Sequence, residues 1–320
     1  MILARNQASY KPLDNFNGEC VTNGLECIIK NKENIREVYF SWGDFPNGRS
    51  SQLLSEDYSV WEMMDIQRQM LKRISENDIP LNVLFNGNCY GRDSLSRGFY
   101  ERVGETVDYI KRVYGETSVT TTSPLIGKFI KSNFSDCEVR ASVNMEIGTV
   151  QGMDYISEYF DGYYMKREFN RDFGKIRELS EYCRNNGKKL YMLANSGCLN
   201  DCSVHNFHDN LVAHEKEISG MDNAYNFTGM CRDYLKNEKN YPKLPEIMNF
   251  IRPEDIGKYE EWFDSVKLAT RIHPNPGLVL ESYIKGKYSG DILRLLEPTH
   301  SIYPYVLENG EPLRLVRIGG

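Results

Sequence analysis

The chain has 320 residues, near the upper limit of one domain, so a single α/β barrel of about 250 residues with decorations is as natural as two domains. It is 40% hydrophobic and 26% charged with no low-complexity tract, which excludes disordered and fibrous classes. A net charge of -6 argues against an extended basic face for nucleic acid, and neither the start MILARNQASYKPL nor any later window holds an apolar run of export-signal or membrane-span length, so the expected setting is cytoplasmic, with no membrane contact.

Short β-branched or aromatic runs alternate with amphipathic helical patterns, the signature of parallel strands with crossover helices. Residues 36–45, REVYFSWGDF, read as a strand followed by the helical VWEMMDIQRQMLKRISEN. PLNVLFNGNCYG is the second strand and GFYERVGETVDYIKRVYG its helix. SVTTTS is third, with Pro124 opening a short helix; CEVRASVNMEIG is fourth, ahead of MDYISEYF. DGYYMKREFNRD is fifth, followed by FGKIRELSEYCRNNG, and KKLYMLANSGC is sixth. Residues 247–251 are the expected seventh strand, with Pro253 near a helix start, and DSVKLATRIHPNPG holds the eighth, with LVLESYIKGKYSGDILRLL behind it.

Eight such units predict a TIM-like (β/α)8 barrel over residues 35–298, with 1–34 as an N-terminal decoration and 299–320 as a tail packing on the barrel. The sixth unit departs from the pattern. Between Cys202 and Leu244 about forty polar residues stand where one helix should be, so a long inserted loop is expected there, and loops of that size carry function.

Functional groups of such barrels sit where strands end and loops begin. That rim includes Asn88, Asn144, Glu146, Arg167, Glu168, Asn195, Arg252, Arg271 and His273. Its Arg and Asn content suits a polar, anionic small ligand; Arg167, Arg252 and Arg271 are candidates for binding it, with Asn88 and Asn195 beside them. Glu168 and His208, with Arg167, are the candidate catalytic groups, His208 being followed by Asp209 as a carboxylate neighbour. The competing readings are a solvated strand end for Arg167 and Glu168, and an ordinary hydrogen-bonded loop histidine for His208.

Eight cysteines in a chain without an export signal read as reduced thiols or metal ligands. Cys137 and Cys183 suit packing, and Cys20 and Cys27 precede the barrel. Cys89 follows the second strand, Cys198 and Cys202 follow the sixth, and Cys231 lies in the expected insertion, so three loops bring four sulfurs to one barrel mouth. Such a set selects an iron-sulfur cluster or zinc. Four alternatives stay open: ordinary loop thiols, a zinc site of Cys198 and Cys202 with two of His205, His208 and His214, a radical S-adenosylmethionine motif in CLNDCSVH, and a cysteine nucleophile with a histidine base. The radical motif normally follows the first strand of its barrel, whereas CLNDCSVH follows the sixth.

The segments NGNCYG, GYYMKREFNRDFGKIRELSEYC, NSGCLNDC and FIRPEDIGKYEEWFDSVKLATR together resemble the collagenase-like peptidase U32 family, over most of residues 35–290. The resemblance implies a TIM-like barrel that in several branches carries a [4Fe-4S] cluster and supports oxygen-independent hydroxylation of quinone precursors or RNA bases. Cys198, Cys202, Cys231 and Cys89 occupy the implied cluster positions, with zinc as the alternative metal. Asn195, Ser196 and Gly197 depart from the family's commonest signature. A small-molecule or peptide substrate is expected, and a metal-dependent peptidase or a non-catalytic iron-sulfur partner subunit are the other two functional readings.

Overall fold

A parallel sheet runs through the chain: β1 (Ile2–Leu3), β2 (Val38–Ser41), β3 (Leu81–Phe85), β4 (Thr117–Thr121), β5 (Val139–Ala141), β6 (Gly162–Tyr164), β7 (Lys189–Leu193) and β8 (Val266–Lys267). The computed structural model describes residues 2–3, 24–48, 59–218, 230–270, 273–297, 307–308 and 311–312. From β2 to β8 each strand pairs with the next in chain order, and β1 adds to the far side of β8, Ile2 opposite Val266. The result is an α/β fold with a curled, TIM-like sheet; among the described residues no ladder joins β1 to β2.

The connecting helices start where the sequence supplies caps. Residues 4–23, directly ahead of α1 (Gly24–Lys30), lie outside the described residues, but α2 (Val60–Ser75) begins with a reciprocal capping box between Ser59 and Glu62. Ser96 caps α3 (Arg97–Tyr114), Ser123 caps α4 (Pro124–Asn133) with proline at its first position, Thr149 caps α5 (Val150–Asp154) and Asp172 caps α6 (Phe173–Asn185). After β7 come α7 (His205–Ala213), α8 (Glu215–Ile218), α9 (Met230–Lys236) and α10 (Leu244–Ile247), and α11 (Pro276–Lys285) follows β8 under an Asn275 cap.

Strand alternation separates two apolar regions. Tyr163, Leu190, Met192 and Leu268 join the large core between sheet and helices, whereas their neighbours Tyr164, Tyr191, Leu193 and Ala269 form, with Val143, a small cluster on the opposite, inner face. Gly162 makes room inside, since a Cβ there would stand 2.8 Å from the Tyr191 ring. Each fully buried Leu, Val, Ile or Phe of the larger core contributes about 1.5–3 kcal/mol. The inner face is otherwise polar. At the strands' N-terminal end Arg140 is enclosed by Glu37 and Glu138, and Lys189 and Tyr191 complete the group, both 2.8 Å or less from Glu138.

Three expectations are corrected. Residues 247–251 are not a strand: α10 ends at Ile247, and the chain then runs extended beside the cysteine loop, Met248 bridging to Leu199 and Ile251 donating its N–H to Ala194. Eight strands remain because Ile2–Leu3, expected to be mere decoration, supplies one. The segment after Cys202, expected to be irregular, carries helices α7 to α10 and a 3-10 helix at residues 238–243 joined by short turns; residues 219–229 lie outside the described part. In the tail, Leu307–Glu308 and Glu311–Pro312 pair as a short antiparallel ribbon, the first strand touching the turn at residues 292–295. No described helix is long and apolar enough to cross a membrane.

Candidate functional site

At the C-terminal ends of the strands the centre is Arg167, in the turn after β6 and 3% exposed. Its Nη1 donates to Cys198 Sγ at 3.4 Å, and its Nη2 donates to Asn144 Oδ1 at 3.1 Å and lies 2.8 Å from His205 Nε2. Burying a guanidinium is costly unless its donors are occupied, so this fork fixes three elements to one point: the cysteine loop, the turn after β5 and the first residue of α7.

His205 is held from both sides. Its Nδ1 bonds to Glu146 and its Nε2 is 3.0 Å from Asp209 Oδ2, one helical turn further along α7. Glu146 reaches it from a left-handed backbone, φ 52°, a conformation costly for a residue with a Cβ and concentrated at functional sites. Burial works against a charge on His205, but the hydrogen bond and negative charge of Asp209 outweigh it, and the imidazole pKa lies above its ordinary value despite Arg167. Arg167 can donate only to a ring nitrogen that bears no proton. Nε2 therefore serves Arg167 in the neutral ring and Asp209 in the protonated one.

A second set of links runs from α7 to the loop after β3. Asn88 Nδ2 is 3.5 Å from Asp209, and the buried Asn88 Oδ1 has no hydrogen-bond partner among the described residues. Cys89, the next residue, accepts from the Gly91 N–H at 3.4 Å. Helix α7 thus connects the loops of Cys89 and Cys198. Below them the barrel interior holds a cavity of about 40 Å³ lined by Tyr39, Asn86, Asn144, Arg167, Lys267 and Glu297 among others.

The other expected residues divide. Glu168 is adjacent to Arg167, and its Oε2 is buried without a hydrogen-bond partner among the described residues. His208 lies on α7, but the imidazole that meets Arg167, Glu146 and Asp209 belongs to His205, three residues earlier. Asn195 is committed to structure: its Nδ2 donates to Ala269 and Leu295 carbonyls and its Oδ1 accepts the Ala269 N–H at 2.6 Å, so it ties strand ends together and presents nothing to a ligand. Arg252 bonds Asp255 at 2.7 Å and lines a separate cleft with Arg171, Phe173, Lys258 and Tyr259. Arg271 lies outside the described residues. Cys202 and Cys231 are half-buried, Cys231 on the first turn of α9, and no disulfide joins the described cysteines. Among the described residues no three His, Cys, Asp or Glu side chains gather as ligands for a single metal ion.

His205 and Asp209 could have been paired from sequence, being four apart in HNFHDN, had that segment been read as a helix. Lys267 gave no signal beyond its place in a strand.

These features define an α/β protein of TIM-barrel type whose polar groups converge at the C-terminal ends of the strands. No protein-family model matches the chain. It is similar to an uncharacterized protease of Methanocaldococcus jannaschii, 25% identical over 297 residues that span 90% of this chain and 83% of that protein. It is also similar in fold to the solved structure of a U32 peptidase, with a TM-score of 0.52 and 15% identity, covering 75% of this chain and 86% of that one. Together they bear out the resemblance to the U32 peptidase family.

Proposed function

We propose that the chain is a U32-peptidase-like iron-sulfur enzyme that carries out oxygen-independent hydroxylation, or a related redox modification, of a polar small molecule or nucleobase. The observation that carries this reading is the Arg167 fork, which puts the sulfur of Cys198 and the proton-transfer group His205 on one buried cation. Cys89, Cys198, Cys202 and Cys231 would hold a [4Fe-4S] cluster. Such a cluster puts one thiolate on each of four irons, so its thiolates ring a volume instead of meeting at one ion. Cys89, Cys198, Cys202 and Cys231 are all half-buried, on the loops after β3 and β7 and on α9, and are the four sulfurs available to it. Bound there, the cluster would supply one-electron transfer.

The remaining chemistry belongs to the chain. Arg167 holds the cysteine loop and leaves its charge facing the mouth. His205 keeps a proton at Nε2 against Asp209, while Glu146 fixes the ring through Nδ1; a protonated imidazole so oriented is a general acid. The buried Glu168 Oε2 is the second group able to take or give a proton.

Protein purified without oxygen should be brown and carry about four iron and four sulfide per chain, and Cys198→Ala should remove most of both. Colourless protein with one zinc per chain would replace this reading with a mononuclear site. Peptide cleavage that survives chelation and Cys198→Ala would assign the mouth to hydrolysis. Turnover by the isolated chain would exclude a non-catalytic partner subunit.

A further inference from the structure

The cysteines assigned to the cluster differ in what their sulfurs receive. Cys89 Sγ accepts a neutral backbone N–H, that of Gly91, at 3.4 Å. Cys198 Sγ accepts at the same distance from Arg167 Nη1, a donor that carries a full positive charge and is 3% exposed. The guanidinium is held against the sulfur from its other side. Its Nη2 donates to Asn144 Oδ1 at 3.1 Å and lies 2.8 Å from His205 Nε2, and Asn144 Nδ2 in turn donates to the Asn86 carbonyl at 3.4 Å. Further charges surround it: Glu146 and Asp209 beyond His205, and Glu297 and Lys267 along the cavity below, the Lys267 ammonium 4.0 Å from the centre of the Tyr39 ring. Both carboxylates beyond His205 reach Arg167 through an imidazole, whereas the guanidinium touches the sulfur directly, so at Cys198 the donor outweighs them.

We infer that Arg167 sets the reduction potential of the [4Fe-4S] cluster through its hydrogen bond to Cys198. Reduction brings in one electron from a low-potential one-electron reductant, with no bond made or broken, and the added negative charge is shared by the thiolates. A donor to sulfur stabilises that charge and raises the potential. A charged donor does so about twice as strongly as a neutral one, and more again where water is excluded. Arg167 acts through Cys198, which makes it a tuning residue for electron transfer, distinct from the groups that move protons at the mouth.

This inference rests on the cluster reading, and its test separates the two. Full-length protein is loaded anaerobically, assayed for iron and sulfide, and reduced with dithionite under EPR. With nitrogen-15 in arginine alone, pulsed EPR of the reduced wild-type protein should show a hyperfine coupling to an arginine nitrogen, and Arg167→Met should abolish it. Arg167→Met should also lower the midpoint potential, so that the reduced-to-oxidised ratio at a fixed potential falls about tenfold, equivalent to about 59 mV for one electron. Arg167→Lys, which keeps a charged donor, should recover about half of that shift or more. A purely structural arginine would change how much cluster is bound and leave the potential of the loaded fraction in place. Should Arg167→Met fail to load, the labelled wild-type protein decides. A loaded wild-type cluster without the arginine coupling, or an unchanged potential in Arg167→Met, would overturn the inference and leave the cluster reading standing. Protein that takes up no iron and sulfide would overturn both.

Discussion

Two arginines are buried at opposite ends of the same barrel, and they are treated differently. Arg140, at the N-terminal end, is 1% exposed and sits against the carboxylates of Glu37 and Glu138, the latter 2.6 Å away. Burial alone would lower its pKa, yet Glu37 keeps it above its ordinary value. Arg167, at the C-terminal end, is 3% exposed and meets a thiol, an amide and an imidazole, none of which is an anionic oxygen. The floor is electrostatically closed. The mouth holds its cation among neutral hydrogen-bond partners, with carboxylates one contact further out at Glu146 and Asp209.

The comparison is broken most directly by removing each arginine. Arg140→Met should cost about 3–5 kcal/mol in urea unfolding, because it leaves the buried Glu37 carboxylate without its cation, whereas Glu138 keeps Lys189. Arg167→Met should cost about 1–2 kcal/mol, the value of its lost hydrogen bonds, while abolishing activity. Equal losses would show that both ends are structural.

Acid sharpens the same contrast. Burial would raise Glu138, but the charge of Arg140 and the hydrogen bonds from Arg140, Lys189 and Tyr191 hold its pKa down at about 2, against an ordinary 4.5. Its contribution is fully present above about pH 4.5 and is lost as the pH falls toward 2. Glu138→Gln should therefore flatten the dependence of the urea midpoint on pH across that interval.

The smallest effect is expected at the mouth, where His205 titrates upward. Its raised pKa makes its contribution to stability complete below about pH 6.5 and lost as the pH rises through the folded-state value. Asp209→Asn should move the His205 imidazole titration, followed by NMR, to lower pH. A titration that did not move would show that Asp209 does not set the protonation of His205.

Much of this fold is legible in the sequence because β2 to β7 and their helices carry strong periodicity and explicit caps. The misreading of residues 247–251 has a physical origin. An extended apolar stretch such as Met248–Asn249–Phe250 looks like a strand, but its partners are loop residues Leu199 and Ala194, which no local pattern reveals. Ile2–Leu3 is too short to announce itself. At the site, Arg167 was visible from its position after a strand. Glu146 acts through a left-handed backbone, and Lys267 through inward orientation and two aromatic rings, neither of which periodicity encodes.

The lacing of the cysteine loop against residues 246–249 bears on how the mouth handles change. Asn249 N–H bonds the Cys198 carbonyl, Asn200 N–H bonds that of Ile247, and the side chains of Asn200 and Asn249 add contacts to Glu246 and Leu199. Asn195 anchors the near end of the loop and Arg167 its sulfur. The conformational entropy of ordering Cys198 is therefore lost when the chain folds, and whatever this thiol binds meets a position already set, with little rearrangement of the protein left to accompany binding.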